Sequence, residues 1–207
     1  PEVMIPGKVV EVMVELNHTA YVVPKRHKLR LAVSTSYWPI AWPAPTNTCL
    51  TIYSGLSLLK LPVLGKNATT EALTDFSKNT LEEEDPTTTM REFRHNRKFS
   101  FDTKQNLNVL EIKADNGKMK IKESGMEMGS KSLYRFSIGE SNPLSAIAEY
   151  EWEWEHGRDN WQTKTHTYTR ITSDLNHFYL YAVLIAWENN KQVFKKVWDE
   201  QFKRDHF

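Results

Sequence analysis

A serine nucleophile, a carboxylate pair, a histidine metal site and an aromatic sugar platform each demand particular residues at particular spacings, and the chain offers a candidate for each. Gly139, Glu140, Ser141, Asn142 and Pro143 approximate the Gly-x-Ser-x-Gly elbow of serine hydrolases, with Pro in the last place. An elbow must follow a strand and open a helix, whereas Ser141 leads into the alternating stretch Ala146 to Glu155, so a turn is the reading these residues favour. Gly55, Leu56 and Ser57 make a weaker match, because Leu59 stands where the final Gly belongs. Glu149, Glu151, Glu153 and Glu155 share one face of a strand and resemble a carboxylate site. Basic residues stand near them in the next alternating stretch, which points to a solvated, charge-paired face. The seven histidines show neither His-x-x-x-His nor His-Glu-x-x-His spacing, and the single Cys49 cannot build a cysteine-based zinc site. The residues therefore define no catalytic set, no metal site and no cofactor site.

Two aromatic groups remain as candidate surfaces. Tyr37, Trp38 and Trp42 lie in a Pro-rich stretch and suit either an interdomain contact or a binding surface. Tyr150, Trp152 and Trp154 alternate along one strand and could line a site for a sugar or an apolar ligand.

The elements that must position these residues are strands, because period-two alternation runs through the sequence and helical periodicity is almost absent. Val10, Val12, Val14 and Leu16 alternate with Glu11 and Glu15, and Leu29, Leu31 and Val33 repeat the pattern. Cys49 to Tyr53 and Leu56 to Leu61 read as short strands around a Ser54-Gly55 turn. Pro39, Pro43 and Pro45 exclude helix and central strand between Trp38 and Pro45, leaving an ordered aromatic loop. Residues 67–90 are polar, include the acidic run Glu82 to Asp85, and read as a linker between residues 1–66 and residues 91–207.

Residues 91–207 read as an antiparallel meander. Asn116-Gly117 suits a type I′ hairpin joining Leu107 to Lys113 with Met119 to Glu123. A four-residue loop from Gly157 to Asn160 would set Glu153 opposite Lys164 and Glu151 opposite His166, with Trp152 opposite Thr165 and Trp154 opposite Thr163. Phe178 to Trp187 turns through Glu188, Asn189, Asn190 and Lys191 into Gln192 to Trp198.

Composition narrows the function classes. The 207 residues balance 27 Lys and Arg against 26 Asp and Glu, so no net field draws the chain onto nucleic acid or an anionic membrane. Arg91, Arg94, Arg97 and Lys98 form a basic stretch, but Glu92 interrupts it and the acidic run precedes it. No apolar run reaches the roughly 18 residues of a membrane-spanning helix. One cysteine excludes an internal disulfide framework, and with no leader-like opening the expectation is a cytoplasmic protein.

The stretch from Arg26-His27-Lys28-Leu29-Arg30-Leu31 through Ser34-Thr35-Ser36-Tyr37-Trp38-Pro39 to Trp42-Pro43-Ala44-Pro45 is more specific than any of these motifs. It resembles the C-terminal β-domain of the cocaine-esterase and X-Pro dipeptidyl-peptidase group of serine hydrolases. Pro6-Gly7, Leu16-Asn17-His18-Thr19-Ala20-Tyr21, Leu61-Pro62-Val63 and Asn142-Pro143-Leu144-Ser145-Ala146 look like the same group. Arg26 and Lys28 depart from its usual Gly and Arg. The resemblance implies an all-β fold: a galactose-binding-like jelly-roll sandwich whose later part is residues 1–66, with a meander or half-barrel in residues 91–207 packed on it or completing it. It also implies that the first strands of the jelly roll lie upstream of Pro1, which would leave a fragment incomplete at its N-terminus. The implied function is that of a non-catalytic domain supporting an upstream α/β-hydrolase domain, of esterase or dipeptidyl-peptidase type, and the substrate pocket of that domain. No residue of the Ser-Asp-His triad carries over, and His27 falls where the family has a structural strand histidine. The alternative is a stand-alone β-sandwich that binds a carbohydrate or an apolar ligand.

Overall fold

In the computed structural model residues 4–65 and 86–205 are described, and among them every regular element is a β-strand. The strands are β1 (Thr87–Arg91), β2 (Arg94–Asp102), β3 (Leu107–Ile121), β4 (Glu127–Gly139), β5 (Asn142–Arg158), β6 (Trp161–Ser173), β7 (His177–Glu188) and β8 (Lys191–Lys203). They form one antiparallel sheet that follows chain order from β3 to β8, with β1 and β2 end to end along the outer side of β3. The protein is thus all-β, and its second half is the antiparallel meander that the alternation predicts. Residues 67–85 of the expected linker, the whole acidic run Glu82 to Asp85 included, lie outside the described residues, and the last four residues of that linker belong to β1.

The strands are long, with 17 residues in β5 against a usual 3–10. Alternation divides them into two faces. One face carries Leu110 and Ile112 of β3, Tyr134 and Phe136 of β4, Ala146 to Trp154 at alternate positions of β5, and Ile171 of β6. Leu110, Phe136 and Ala148 pack together there as the core. The opposite face carries the four glutamates.

Turn chemistry sets the hairpins. Asn189 and Asn190 both hold positive φ, 46° and 66°, and join β7 to β8 as a type I′ turn requires. Asn116-Gly117, expected to be that kind of turn, lies inside β3. Here Asn116 and Gly117 together oppose the single residue Ser130, which makes a bulge rather than a reversal. The reason is local. Asp115 Oδ1 accepts a hydrogen bond from the Gly117 amide at 3.0 Å, Asn116 Nδ2 donates to Ser130 Oγ at 2.9 Å, and Arg91 donates to both Asp115 and Glu155, so the kink is stapled from three sides. The reversal comes later, where Gly125 with φ 69° closes the β3–β4 hairpin.

Gly117 has φ 82°, and a Cβ there would sit 2.8 Å from the backbone oxygen of Arg91. Gly117→Ala therefore lowers stability through strain and clash together, by about 1–3 kcal/mol, read from the urea midpoint. A change within about 0.5 kcal/mol contradicts this account of the bulge.

The β5–β6 loop also differs from expectation. Arg158 pairs directly with Trp161, so Asp159 and Asn160 alone form the turn, with Asp159 at φ 53°. Shortening the loop by two residues shifts the register by two. Glu153 stands opposite His166, Glu155 opposite Lys164, Trp152 opposite Thr167 and Trp154 opposite Thr165. Because the shift is an even number, each residue keeps its expected face.

The four strand-like stretches of residues 4–65 hold no ladder among the described residues. Their apolar side chains face solvent: Val12 is 67% exposed, Val14 72% and Leu31 62%. Alternation records a surface made for a partner strand or layer, and here nothing described covers it.

Candidate functional site

The Pro-rich loop packs on the sheet through Trp38 and Trp42. Three closely spaced prolines limit its backbone, and the Trp38–Pro39 bond is cis. Trp38 and Trp42 meet edge to face at 5.0 Å, as aromatic quadrupoles prefer. Trp38 then packs edge to face on Phe136 of β4 at 5.9 Å, and Trp42 on Phe178 of β7 at 5.6 Å. The Trp42 indole N–H donates to Ser173 Oγ at 3.0 Å.

Arg204, just past β8, completes the contact. Its guanidinium donates to the Pro43 carbonyl at 2.7 Å, to Ser173 Oγ at 2.9 Å and to the Asp174 carbonyl at 3.1 Å, and it lies 4.8 Å from the Phe178 ring centroid. Burial lowers its pKa, opposed by the nearby Asp174 charge. Trp42, Ile171, Phe178, Leu180 and Phe202 line a shallow apolar groove beside the loop.

Tyr37 does not join this packing and is 68% exposed. The three aromatic candidates thus separate into two that face the sheet and one that faces solvent. Sequence reasoning passed over Phe136, Phe178, Ser173 and Arg204. Strand parity puts Phe136 and Phe178 on the sheet face that the loop meets, but nothing local marks Arg204, more than 160 residues from Pro43.

The second aromatic group continues the same face along β5. Tyr150 meets Phe136 and Tyr134 edge to face, whereas Trp152 and Trp154 stack within 7° of parallel at 5.6 Å. His156 extends the stack at 6.3 Å. These rings stand in a row with their faces turned to one another. Trp154 is 45% exposed.

Across the sheet the glutamates are paired. Glu149 accepts from Tyr168 Oη at 2.7 Å, Glu151 contacts His166 Nε2 at 2.8 Å, Glu153 meets Lys164 at 2.7 Å and Lys131 at 3.6 Å, and Glu155 meets Arg91 at 2.7 Å. The Glu153–Lys164 and Glu151–His166 pairs expected from sequence form diagonally, in spite of the altered register. Burial alone would raise the Glu153 carboxyl, but the hydrogen bond and charge of Lys164, with Lys131, hold it below its ordinary value. Burial and the hydrogen bond to Glu149 push the Tyr168 phenol up to about 12. A set of paired carboxylates with no free acid is suited to holding strands together rather than to proton transfer.

Ser141 occupies the two-residue β4–β5 turn with φ 56°, and its carbonyl accepts a hydrogen bond from Asn47 Nδ2 at 2.9 Å. It enters a strand rather than a helix, and no described histidine or carboxylate hydrogen-bonds its hydroxyl. Among the described residues no three His, Cys, Asp or Glu side chains are grouped to hold a metal ion.

At the β6–β7 turn, the hydrogen bond from Tyr179 Oη at 2.6 Å, followed by those from the amides of Asn176 and His177, lowers the Asp174 carboxyl from 3.8 to about 2. A carboxyl whose pKa falls on folding contributes stability that is complete above the unfolded value and disappears as pH drops through the folded one. Asp174→Asn should therefore flatten the acid limb of the stability curve between pH 3.8 and about 2, measured by denaturation at stepped pH. An unchanged limb contradicts this.

The fold and the site describe an all-β protein whose proline-tryptophan loop is docked on an open sheet, with no catalytic constellation among the described residues. Residues 1–78 match the family model of the X-Pro dipeptidyl-peptidase C-terminal non-catalytic domain. The match includes Tyr37, Trp38 and Trp42 and ends before β1, so the resemblance read from the loop holds for the N-terminal 78 of 207 residues. No curated protein and no solved structure matches the chain.

Proposed function

We propose that this chain is a non-catalytic C-terminal part of a serine hydrolase of X-Pro dipeptidyl-peptidase type. In this reading residues 4–65 buttress an α/β-hydrolase domain of the same polypeptide and the walls of its substrate pocket. The observation that carries it is the family match to a non-catalytic domain over residues 1–78. Exposure supports it: the chain leaves 18071 Å² accessible, where a folded monomer of 24.2 kDa exposes about 10000 Å². Part of the excess is the apolar surface of residues 9–16, 29–33 and 56–64, and a neighbouring domain is what such surface is built to meet.

Tyr37 is the aromatic of the loop that the sheet leaves available to that domain. In the whole enzyme Tyr37→Ala should change KM or thermal stability while acylation of the catalytic serine persists. Complete loss of acylation with unchanged folding contradicts a supporting role.

The half-exposed row of Tyr150, Trp152 and Trp154 favours one second reading, a binding surface. Stacked rings offer edges rather than open faces, so an apolar ligand suits the row better than a sugar, which needs a free ring face. Quenching of Trp fluorescence by a fatty-acid panel and not by a glycan panel supports this reading. Silence at millimolar ligand removes it.

A further inference from the structure

The last strand ends the sheet with an unpaired edge. No described strand lies on the outer side of β8, although the strand is 13 residues long and carries no proline. Such an edge invites another strand unless something blocks it. Phe194, Lys196, Trp198, Glu200 and Phe202 pair with Ala186, Leu184, Ala182, Leu180 and Phe178 of β7, and so share one face. Phe194 and Phe202 are 46% and 52% exposed.

Outward from Trp198 in both directions, this face is self-complementary. In an antiparallel pair related by a two-fold axis normal to the sheet, residues facing each other across the seam lie on the same face and at equal distances from the axis. With Trp198 on the axis, Lys196 meets Glu200 of the partner subunit, Phe194 meets Phe202 of the partner subunit, and Trp198 meets its own counterpart. On the other face Lys195 meets Gln201 of the partner subunit, and Val197 meets Asp199 of the partner subunit. No like charges oppose one another.

Neighbouring registers fail this test. An axis at Lys196 or at Asp199 puts a charge against itself, and an axis at Val197, although it brings Lys195 to Asp199, sets Lys191 against Lys203. The opposite edge of the sheet is not self-complementary: β2 carries Arg94, Arg97 and Lys98 with Asp102 as its one acid, and the chain breaks step at Glu92 and Phe93 between β1 and β2.

We propose that two copies of this chain associate through β8, antiparallel and centred on Trp198, so that their sheets continue into one. The face-to-face pairs are Phe–Phe, Lys–Glu and Trp–Trp, a combination of apolar and opposite-charge contacts that each stabilise a ladder. Lys196, a residue that would discourage a foreign strand, meets Glu200 of the partner subunit in this arrangement and in none of the adjacent ones.

Sedimentation velocity on the 207-residue chain at micromolar concentration tests this, with a species of twice the 24.2 kDa chain mass expected. Lys196→Glu puts two like-charge pairs in the seam and should weaken association by about tenfold or more. The charge swap Lys196→Glu with Glu200→Lys should restore it, which separates the pairing from any general effect on folding. With Cys49→Ser in the background, Trp198→Cys should oxidise to a covalent dimer, since facing residues of an antiparallel pair lie within disulfide reach. A chain that stays monomeric at hundreds of micromolar, a swap no better than the single variant, or absence of the disulfide crosslink in the Trp198→Cys variant overturns the proposal.

Discussion

Replacing Arg204 by Ala costs the folded chain about 2–4 kcal/mol and releases the tryptophan loop from the sheet. Arg204 is 6% exposed, and its guanidinium supplies donors to two backbone carbonyls and one hydroxyl, on the loop and on the β6–β7 turn. Its removal leaves the buried Pro43 carbonyl without that donor and takes the cation from the Phe178 face. Arg204→Lys should recover only part of the loss, because a single ammonium cannot reproduce a planar fork bridging Pro43 and Ser173. Trp fluorescence during denaturation reads both effects, since Trp42 reports the loop. A loss under about 0.5 kcal/mol would show that the loop is held by its rings alone.

Phe136→Ala should cost about 3–5 kcal/mol, as truncation of a buried aromatic does when its surroundings cannot collapse. Phe136 sits where the core of Leu110 and Ala148 meets the loop, with Trp38 on one side and Tyr150 on the other. A sheet held by long ladders has little freedom to fill the gap. Trp38→Ala removes the opposite half of the same contact, so the two substitutions should be non-additive by about 0.5–1.5 kcal/mol in a double-mutant cycle. Additive losses would mean that the loop and the core are energetically separate.

Alternation made the meander legible. From Ala146 to Glu155 each residue declares its face, and the structure extends that strand to Asn142–Arg158, with regular pairing from Ile147 onward. Asn189-Asn190 was legible because two residues tolerant of positive φ stand between apolar runs. Asn116-Gly117 carried the same local signal and became a bulge, because Arg91, distant in sequence, and Ser130 staple it within the sheet. Local turn propensity cannot register such partners. The Glu153–Lys164 and Glu151–His166 contacts were legible even though loop length was misjudged, since long side chains reach diagonal neighbours. For residues 4–65 alternation marks surface intended for burial, and it names no partner. The docking of Trp38 and Trp42 depends on Phe136, Phe178 and Arg204, which come from three distant parts of the chain.

In the proposed assembly a catalytic domain of the same polypeptide covers the apolar surface of residues 4–65. Hydrogen–deuterium exchange, run in parallel on the polypeptide as its native gene encodes it and on the 207-residue chain, tests this most directly. Amides of residues 9–16 and 29–33 should exchange rapidly in the chain alone and become protected in the whole protein, while β5 and β6 exchange alike in both. Equal exchange of residues 9–16 and 29–33 in the two samples, or a native gene that encodes no hydrolase domain, would contradict it.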